Sequence, residues 1–179
     1  MHEIETKVLE INRDEIIQKL AGFGAVKTQD TRLTVDWYSP KGIENNNHPW
    51  YLRARTTSEG KSEISWKSLP KIVGNTRHSD EITVFVGDFK TAKQFLEAID
   101  LVNYAHQEKD RTSFTLKDWN FDVDQYPDMP CYLEIEGGSH EHVNEAITLL
   151  ELQSHESISE GERRLIEEKY KLNWNDMRF

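Results

Sequence analysis

Glu3, Glu5 and Lys7 lie in a Glu-Ile-Glu-Thr-Lys run that places an ionisable group at every second residue. The same spacing returns in Arg53/Arg55, Lys109/Arg111, Asp122/Asp124 and Glu134/Glu136, and Lys67 and Glu81 stand in segments of similar character. In a β-strand, residues i, i+2 and i+4 share one face, so each run builds a charged face. Large apolar residues fall between the charges: Leu52, Trp66, Ile82, Phe121, Val123, Leu133 and Ile135. The opposite faces therefore pack against something. The two signs of charge have different uses. Guanidinium groups grip phosphate oxygens in pairs and ammonium groups add point charge, whereas converging carboxylates suit hard divalent cations such as Mg²⁺ or Mn²⁺. Like charges ~4 Å apart repel by about 4 kcal/mol at an effective dielectric near 20. A bound polyanion would neutralise the cations and a metal ion the carboxylates. A triphosphate with its metal meets both demands.

Elements must position these faces. Residues 3–11 alternate as a strand. A helix then starts at Asn12 or Arg13, with Ile16, Ile17 and Leu20 on one side and Gly22 and Gly24 at its end. Strands follow near 26–39, 50–56 and 62–68, separated by turn-rich 40–49 and 69–80. A second cycle begins with a strand at Glu81–Val86 and a helix capped by Asp88 or Thr91, carrying Phe95, Leu96 and Ile99. Strands near 103–107, 110–116, 119–125 and 131–137 complete it. The two cycles read as a duplication of strand, helix and several strands. The C-terminal part, about 140–170, reads as two helices, His140–Leu150 and Ser159–Tyr170, the second with Ser159 and Glu162 as a capping box. Helices covering the apolar face of a twisted sheet favour its closure around the charged one. Such a tunnel is lined by Lys7, Arg53, Arg55, Lys67, Lys109 and Arg111, facing Glu3, Glu5, Glu81, Asp122 or Asp124, Glu134 and Glu136.

The 179 residues fit a single domain, 1–179, with the C-terminal helices as part of it. A net charge of -10 argues against a general electrostatic grip on nucleic acid, which needs many Lys and Arg contacts to phosphate. The acidic total and the cationic face point in opposite directions, and the local pattern decides ligand charge. One cysteine, Cys131, excludes an internal disulfide and a thiolate metal cluster. No apolar run approaches the ~18 residues of a membrane span, and residues 1–20 are too charged for a signal peptide. The expected location is cytoplasmic, with no membrane partner; oligomeric state stays open.

The opening Glu3-Ile4-Glu5-Thr6-Lys7 resembles the ExExK signature of the CYTH superfamily, the triphosphate tunnel metalloenzymes. The resemblance continues through Asp36-Trp37-Tyr38, Leu52-Arg53-Ala54-Arg55, Ser65-Trp66-Lys67, Glu81, Lys109-Asp110-Arg111, Val123-Asp124 and Tyr132-Leu133-Glu134-Ile135-Glu136. It implies an α+β fold: a closed antiparallel β-barrel of about eight strands from two related halves, with helices packed outside. It also implies that Glu3, Glu5, Asp124, Glu134 and Glu136 hold Mg²⁺ or Mn²⁺, Asp122 fitting the motif spacing less well than Asp124. Lys7, Arg53, Arg55, Lys67, Lys109 and Arg111 would clamp phosphates, and Glu3, Glu5, Lys7, Lys67 and Glu81 would carry catalysis. The chain departs from the family run Arg-x-Glu-x-Glu at Ser79-Asp80-Glu81-Ile82-Thr83, where Arg77 or His78 is placed to compensate.

The expected function is metal-dependent hydrolysis of a triphosphate: inorganic triphosphate, ATP or thiamine triphosphate. An adenylyl cyclase of class IV, making cyclic AMP and pyrophosphate, is the alternative, and a non-catalytic polyphosphate binder the third reading. Trp37, Trp50, Trp66 and Trp119 are candidates for stacking on a base or thiazolium ring, although packing is the commoner use. His2 reads as a solvated terminal residue. His48, His78, His106, His140, His142 and His155 lack zinc-ligand spacing, and Cys131 reads as a buried strand residue with no activating partner.

Overall fold

The computed structural model describes residues 2–43 and 49–179, so His48 and half of the turn-rich 40–49 lie outside the described residues. In chain order the elements are β1 (His2–Val8), α1 (Arg13–Gly22), β2 (Val26–Pro40), β3 (Trp50–Thr57), β4 (Ser62–Ser68), β5 (Lys71–Val73) and β6 (Thr76–Val86). Then come α2 (Phe89–Ala98), β7 (Leu101–Leu116), β8 (Trp119–Gln125), β9 (Tyr132–Glu136) and α3 (His140–Leu149). A C-terminal strap completes the chain: β10 (Ser157–Ile158), α4 (Glu162–Arg164), a π-helical turn (Leu165–Lys169) and β11 (Asp176–Met177).

The strands pair in the order β1-β9-β8-β7-β2-β3-β4-β6, and β6 returns to β1, closing an antiparallel barrel of eight strands. It consists of two halves of one strand, a helix and three strands: β1-α1-β2-β3-β4 and β6-α2-β7-β8-β9. Closure leaves no free edge among the eight strands. Two short strands extend it, β5 on β6 and β10 on β1, and β11 lies parallel to β7.

The local signals explain the helices. Asn12 caps α1, its side chain accepting from the amides of Asp14 at 3.1 Å and Glu15 at 3.3 Å, and Gly24 turns the chain away at φ +80°. Asp88 caps α2 by accepting from the Thr91 amide at 2.6 Å. Three strand expectations differ from the structure. The first strand ends at Val8 and not at residue 11, and Glu10 turns the chain at φ 56°. Residues 69–80 are not simply turn, for they hold β5 and the first half of β6. The strands expected at 103–107 and 110–116 are one strand, β7, since Glu108, Lys109 and Asp110 alternate inward and outward without interrupting it.

The core lies outside the barrel. Ile4, Val8, Phe121, Val123, Leu133 and Ile135 on the outer wall pack with Ile16 and Leu20 of α1 and with Val143, Ala146 and Ile147 of α3. α2 covers another stretch of wall with Leu96 against Tyr38 and Ala54, joined by Leu52 and Ile64. Each duplicated helix thus packs largely on the other half's strands: α1 on β7, β8 and β9, α2 on β2, β3 and β4. Ile4 and Val8 of β1 join the α1 cluster from its own half, but most of the strand residues there come from the other half, so the two stabilise each other. Phe121 is fully buried at the centre of the larger cluster. Phe121→Ala should lower unfolding free energy by about 3–5 kcal/mol in a urea titration; a loss under about 1 kcal/mol would mean that the wall collapses around the cavity.

Candidate active site

Closure turns the charged faces inward. Register places residues directly opposite one another on a shared face: Glu5 with Glu136 and Lys7 with Glu134 across β1–β9, Arg111 with Asp124 across β7–β8, and Asp122 with Glu134 across β8–β9. Lys67 stands opposite Glu81, and Arg53 and Arg55 opposite Ser65 and Glu63. Every sequence-predicted site residue therefore lies on the inner wall. All but Asp124, which is fully buried behind Arg111 and Lys109, line one cavity of about 900 Å³. Asp122 and Asp124 share that wall, so strand parity does not separate them. The inner face of β2 differs, contributing Leu33 and Val35 opposite Lys109 and Gln107.

Two electrostatic regions divide the cavity. In the first, Arg111 reaches Asp124 through two bonds, Nε to Oδ1 at 2.6 Å and Nη2 to Oδ2 at 2.5 Å, pairs with Asp122, and lies 3.4 Å from Glu134. Lys109 donates to Asp124 at 2.8 Å and to Glu162 at 2.5 Å. Lys7 lies 3.0 Å from Glu134 and 3.3 Å from Glu5. Burial works against the charges here, but the partners prevail. The Lys7 ammonium is held above its ordinary value by Glu134 and Glu5, and the Glu134 carboxyl well below its own by Lys7, Arg111 and Lys109.

Glu162 is absent from the sequence-derived set. Ser159 and Glu162 do not form the expected capping box, nor is 159–170 one regular helix: Gly161 occupies the N-cap of a three-residue α4 without a side-chain cap. Glu162 points into the barrel instead, accepting from Lys109, from Tyr126 Oη at 2.8 Å and from Tyr132 Oη at 2.8 Å. A buried cation and two phenols outweigh one solvated amide as partners. A β-carbon at Gly161 would come within 3.0 Å of Arg77 Nη1, so glycine lets the strap approach the barrel closely. Carboxylate oxygens of Asp124, Glu134 and Glu162 lie within 4.8 Å of one another, close enough to share an ion. Lys7, Lys109 and Arg111 already neutralise that group.

In the second region Glu5 lies 3.3 Å from Lys7 and 3.5 Å from Arg77, whereas Glu136 has no ion pair among the described residues. Glu5 and Glu136 face each other directly across adjacent strands, an arrangement that destabilises a sheet unless positive charge comes between. Glu136 accepts from Asn120 at 3.1 Å. Its carboxyl is nonetheless raised above the ordinary value, by burial and by the nearby Glu134 and Glu5. These donors fit a hard divalent ion: oxygen only, crowded, anionic and open to the cavity. Nearby, Lys67 lies 2.6 Å from Glu3 and 2.7 Å from Glu81, with Arg53 at 3.7 Å from Glu81. Burial and a hydrogen bond with Glu81 push Glu3 from 4.5 to about 7, against the pull of Lys67, while Glu81 is held low. Glu3 thus keeps a proton in the folded chain that it loses when unfolded between these two values. Metal-free stability should accordingly fall as pH rises from about 4.5 to about 7 through this group. Glu3→Gln should flatten that stretch of the thermal-midpoint profile; an unaltered slope would place the proton elsewhere.

At the Arg-x-Glu-x-Glu departure, Ser79 and Thr83 face inward with Arg77 and Glu81 on the same strand face. Arg77 lines the cavity, its Nε 3.5 Å from Glu5 Oε1, so a guanidinium enters two residues earlier than in the family run. His78 faces outward, bonding to Thr76 Oγ1 at 3.1 Å. Of the four tryptophans considered for stacking, Trp37 lines the cavity. Trp119 is buried in the outer core and stacks on His142 at 4.5 Å, and Trp66 lies on the outer face opposite Ile82. Trp50 is half-buried at the start of β3. Cys131 is buried, its thiol raised to about 11 by burial, and donates to the Asp124 carbonyl at 3.2 Å. Tyr132, Tyr104 and Trp174 are further residues the sequence reading did not select. Tyr132 shares parity with Glu134 and Glu136, a signal obscured by its apolar ring, whereas nothing in the local sequence marks Trp174.

Comparison with known proteins gives a consistent picture. The family model described as "CYTH domain" matches residues 1–166. No curated protein matches the chain. Among solved structures, a protein from Vibrio parahaemolyticus proposed to be an adenylate cyclase superposes with a TM-score of 0.78 at 11% identity, over 93% of this chain and 98% of its own. A Pyrococcus horikoshii OT3 protein gives 0.73 at 20% identity, over 93% and 99%. A Hippeastrum protein described as having a dominant triphosphatase activity gives 0.69 at 13% identity, over 96% and 97%. At these identities the likeness is one of fold.

Proposed function

Because the chain belongs to the CYTH domain family, we propose that it is a divalent-metal-dependent phosphohydrolase acting on a triphosphate bound in the barrel. The observation that carries this reading is one cavity that holds both a cation-lined wall and Glu136, a carboxylate with no ion pair among the described residues, set in register with Glu5. A pure anion binder has no use for the second. Glu5 and Glu136, with Glu3 beside them, would hold Mg²⁺ or Mn²⁺. The metal supplies positive charge against phosphoryl oxygens and lowers the pKa of bound water.

The chain's own residues do the rest. Arg53, Arg55, Arg77 and Lys67 line the cavity as donors to phosphate oxygens, with Lys7, Lys109 and Arg111 on the far wall. Asp124 and Glu134 hold those far cations in fixed positions before substrate arrives, so little reorganisation remains when charge spreads over the transferring group. Glu81 holds Lys67 and Arg53 in the same way. Glu162 anchors the strap over the cavity, limiting access of bulk water.

The test is product identification. Inorganic triphosphate or ATP is incubated with the protein and Mg²⁺ or Mn²⁺, and phosphorus NMR follows the products. Orthophosphate and a diphosphate are expected. Cyclic AMP with pyrophosphate would replace hydrolysis by cyclisation, and tight binding without turnover would leave only the binder.

A further inference from the structure

Arg77, Glu5 and Glu136 stand in one row across three adjacent strands. Register puts Arg77 of β6 directly opposite Glu5 of β1, and Glu5 directly opposite Glu136 of β9, and all three line the cavity. Glu5 is therefore flanked by a cation on one side and a second carboxylate on the other. Two residues along β6, the same face carries Ser79 opposite Glu3, so the guanidinium falls beside Glu5 and not beside Glu3.

The contact between Arg77 and Glu5 is loose. Nε lies 3.5 Å from Glu5 Oε1, against 2.6 Å and 2.5 Å for the two bonds from Arg111 to Asp124. The Arg77 side chain is only 11% exposed, and Glu5 is its one ion pair among the described residues. Its Nε is buried without a hydrogen-bond partner among them. Lys7, the other cation beside Glu5, lies closer to Glu134, at 3.0 Å against 3.3 Å. A buried donor left open is costly, and a guanidinium has several N–H groups to place. The strap backbone packs against the same group, since a β-carbon at Gly161 would come within 3.0 Å of Arg77 Nη1. Acceptors for the open donors must then come from the cavity. Arg77 neutralises Glu5 without being satisfied by it.

We propose that Arg77 is a resident counter-ion that makes metal binding depend on the triphosphate: it holds Glu5 while the barrel is empty, which weakens capture of a free divalent ion, and turns to a phosphate oxygen when ion and substrate enter together. The proposal rests on the reading of Glu5 and Glu136 as the metal pair. A divalent ion and a guanidinium on one carboxylate repel each other, so the ion binds well only once the arginine has another anion. Guanidinium groups suit phosphate oxygens for that purpose. Phosphate and metal then reinforce each other, and by linkage each tightens the other by the same factor. A protein built this way stays largely metal-free until its substrate is present.

Calorimetric titrations with Mn²⁺ alone and with inorganic phosphate alone test this. Arg77→Gln should bind Mn²⁺ about tenfold tighter than the wild type and phosphate about fivefold weaker, opposite changes that a merely structural role does not produce. Arg77→Lys, which keeps the charge, should restore most of both. Saturating phosphate should tighten Mn²⁺ several-fold in the wild type and not in Arg77→Gln. Equal Mn²⁺ affinity in the wild type and Arg77→Gln would overturn the counter-ion; if Glu136→Gln still abolishes Mn²⁺ binding, the metal pair stands without it. Mn²⁺ binding that neither Glu136→Gln nor Arg77→Gln alters would overturn both. Should Arg77→Gln fail to fold, the wild type decides by itself, and Mn²⁺ affinity unaltered by saturating phosphate overturns the proposal.

Discussion

Glu136→Gln should reduce metal-dependent turnover by about 10²–10³-fold, a scale comparable to deleting one preorganised electrostatic group from an active site, while the protein remains as stable as before or gains slightly. The two halves of that expectation share one cause. Glutamine matches glutamate in shape and keeps an oxygen for Asn120, which donates to Glu136 at 3.1 Å. What disappears is one of two like charges set opposite each other in register. Without metal that charge is a burden, since burial and the neighbouring Glu134 and Glu5 already raise the carboxyl above its ordinary value. With metal it would be half of the proposed binding pair. Turnover at saturating Mg²⁺ and urea unfolding without metal should therefore move in opposite directions. Full activity in this variant would remove Glu136 from the metal site, and a large loss of stability would show that the pair was already neutralised.

Arg111→Ala should behave in the contrary way, destabilising the fold by about 3–5 kcal/mol at neutral pH, because removing one partner leaves buried charge uncompensated. Arg111 contacts Asp122, Asp124 and Glu134 together, and Asp124 is fully buried. Three carboxylates would be left facing Lys109 and Lys7 alone. Asp122 and Glu134 lose the guanidinium that favours their charged forms and can escape by binding protons, so the deficit shrinks as pH falls towards the ordinary carboxylate range. Unfolding measured at pH 7 and pH 5 should show the larger loss at pH 7. Arg111→Lys should recover only part, since an ammonium cannot reproduce the two parallel bonds to Asp124. A loss under about 1 kcal/mol at pH 7 would mean that Lys109 suffices to hold the acidic group.

The inner wall was legible because a strand repeats every two residues and the charges keep that period. Glu3, Glu5 and Lys7, or Glu134 and Glu136, can only share a face. Parity tells which face a residue lies on and nothing about its partners. It left Asp122 and Asp124 alike, although Asp124 alone accepts from Lys109. It also failed where backbone departs from strict alternation, as at Tyr104, or leaves regular structure, as in the strap. Ser159-x-x-Glu162 carries the pattern of a capping box, but a pattern of four residues competes poorly with a lysine and two buried phenols brought from β7, the residue after β8, and β9. Long-range partners of that kind are invisible to local reading. The exchange of helices between halves is likewise a tertiary outcome, since neither helix sequence says which strands it will cover.

The closing seam has a consequence for the order of assembly. β1 leaves the ribosome before any of its partners, which are Arg77 to Asp80 on β6, Leu133 to Glu136 on β9, and Ser157 and Ile158 on β10. Its pairing with β6 becomes possible before half of the chain is made, but the wall cannot shut until β9, about three-quarters of the way along, is present, and such distant pairings make folding slow. During that wait β1 offers little to aggregate, for its alternating Glu3, Glu5 and Lys7 discourage stray strand pairing. The residues that later line the cavity thus double as gatekeepers of a nascent chain, and charge-removing variants at Glu3 or Glu5 should lower soluble yield even where the purified fold is sound.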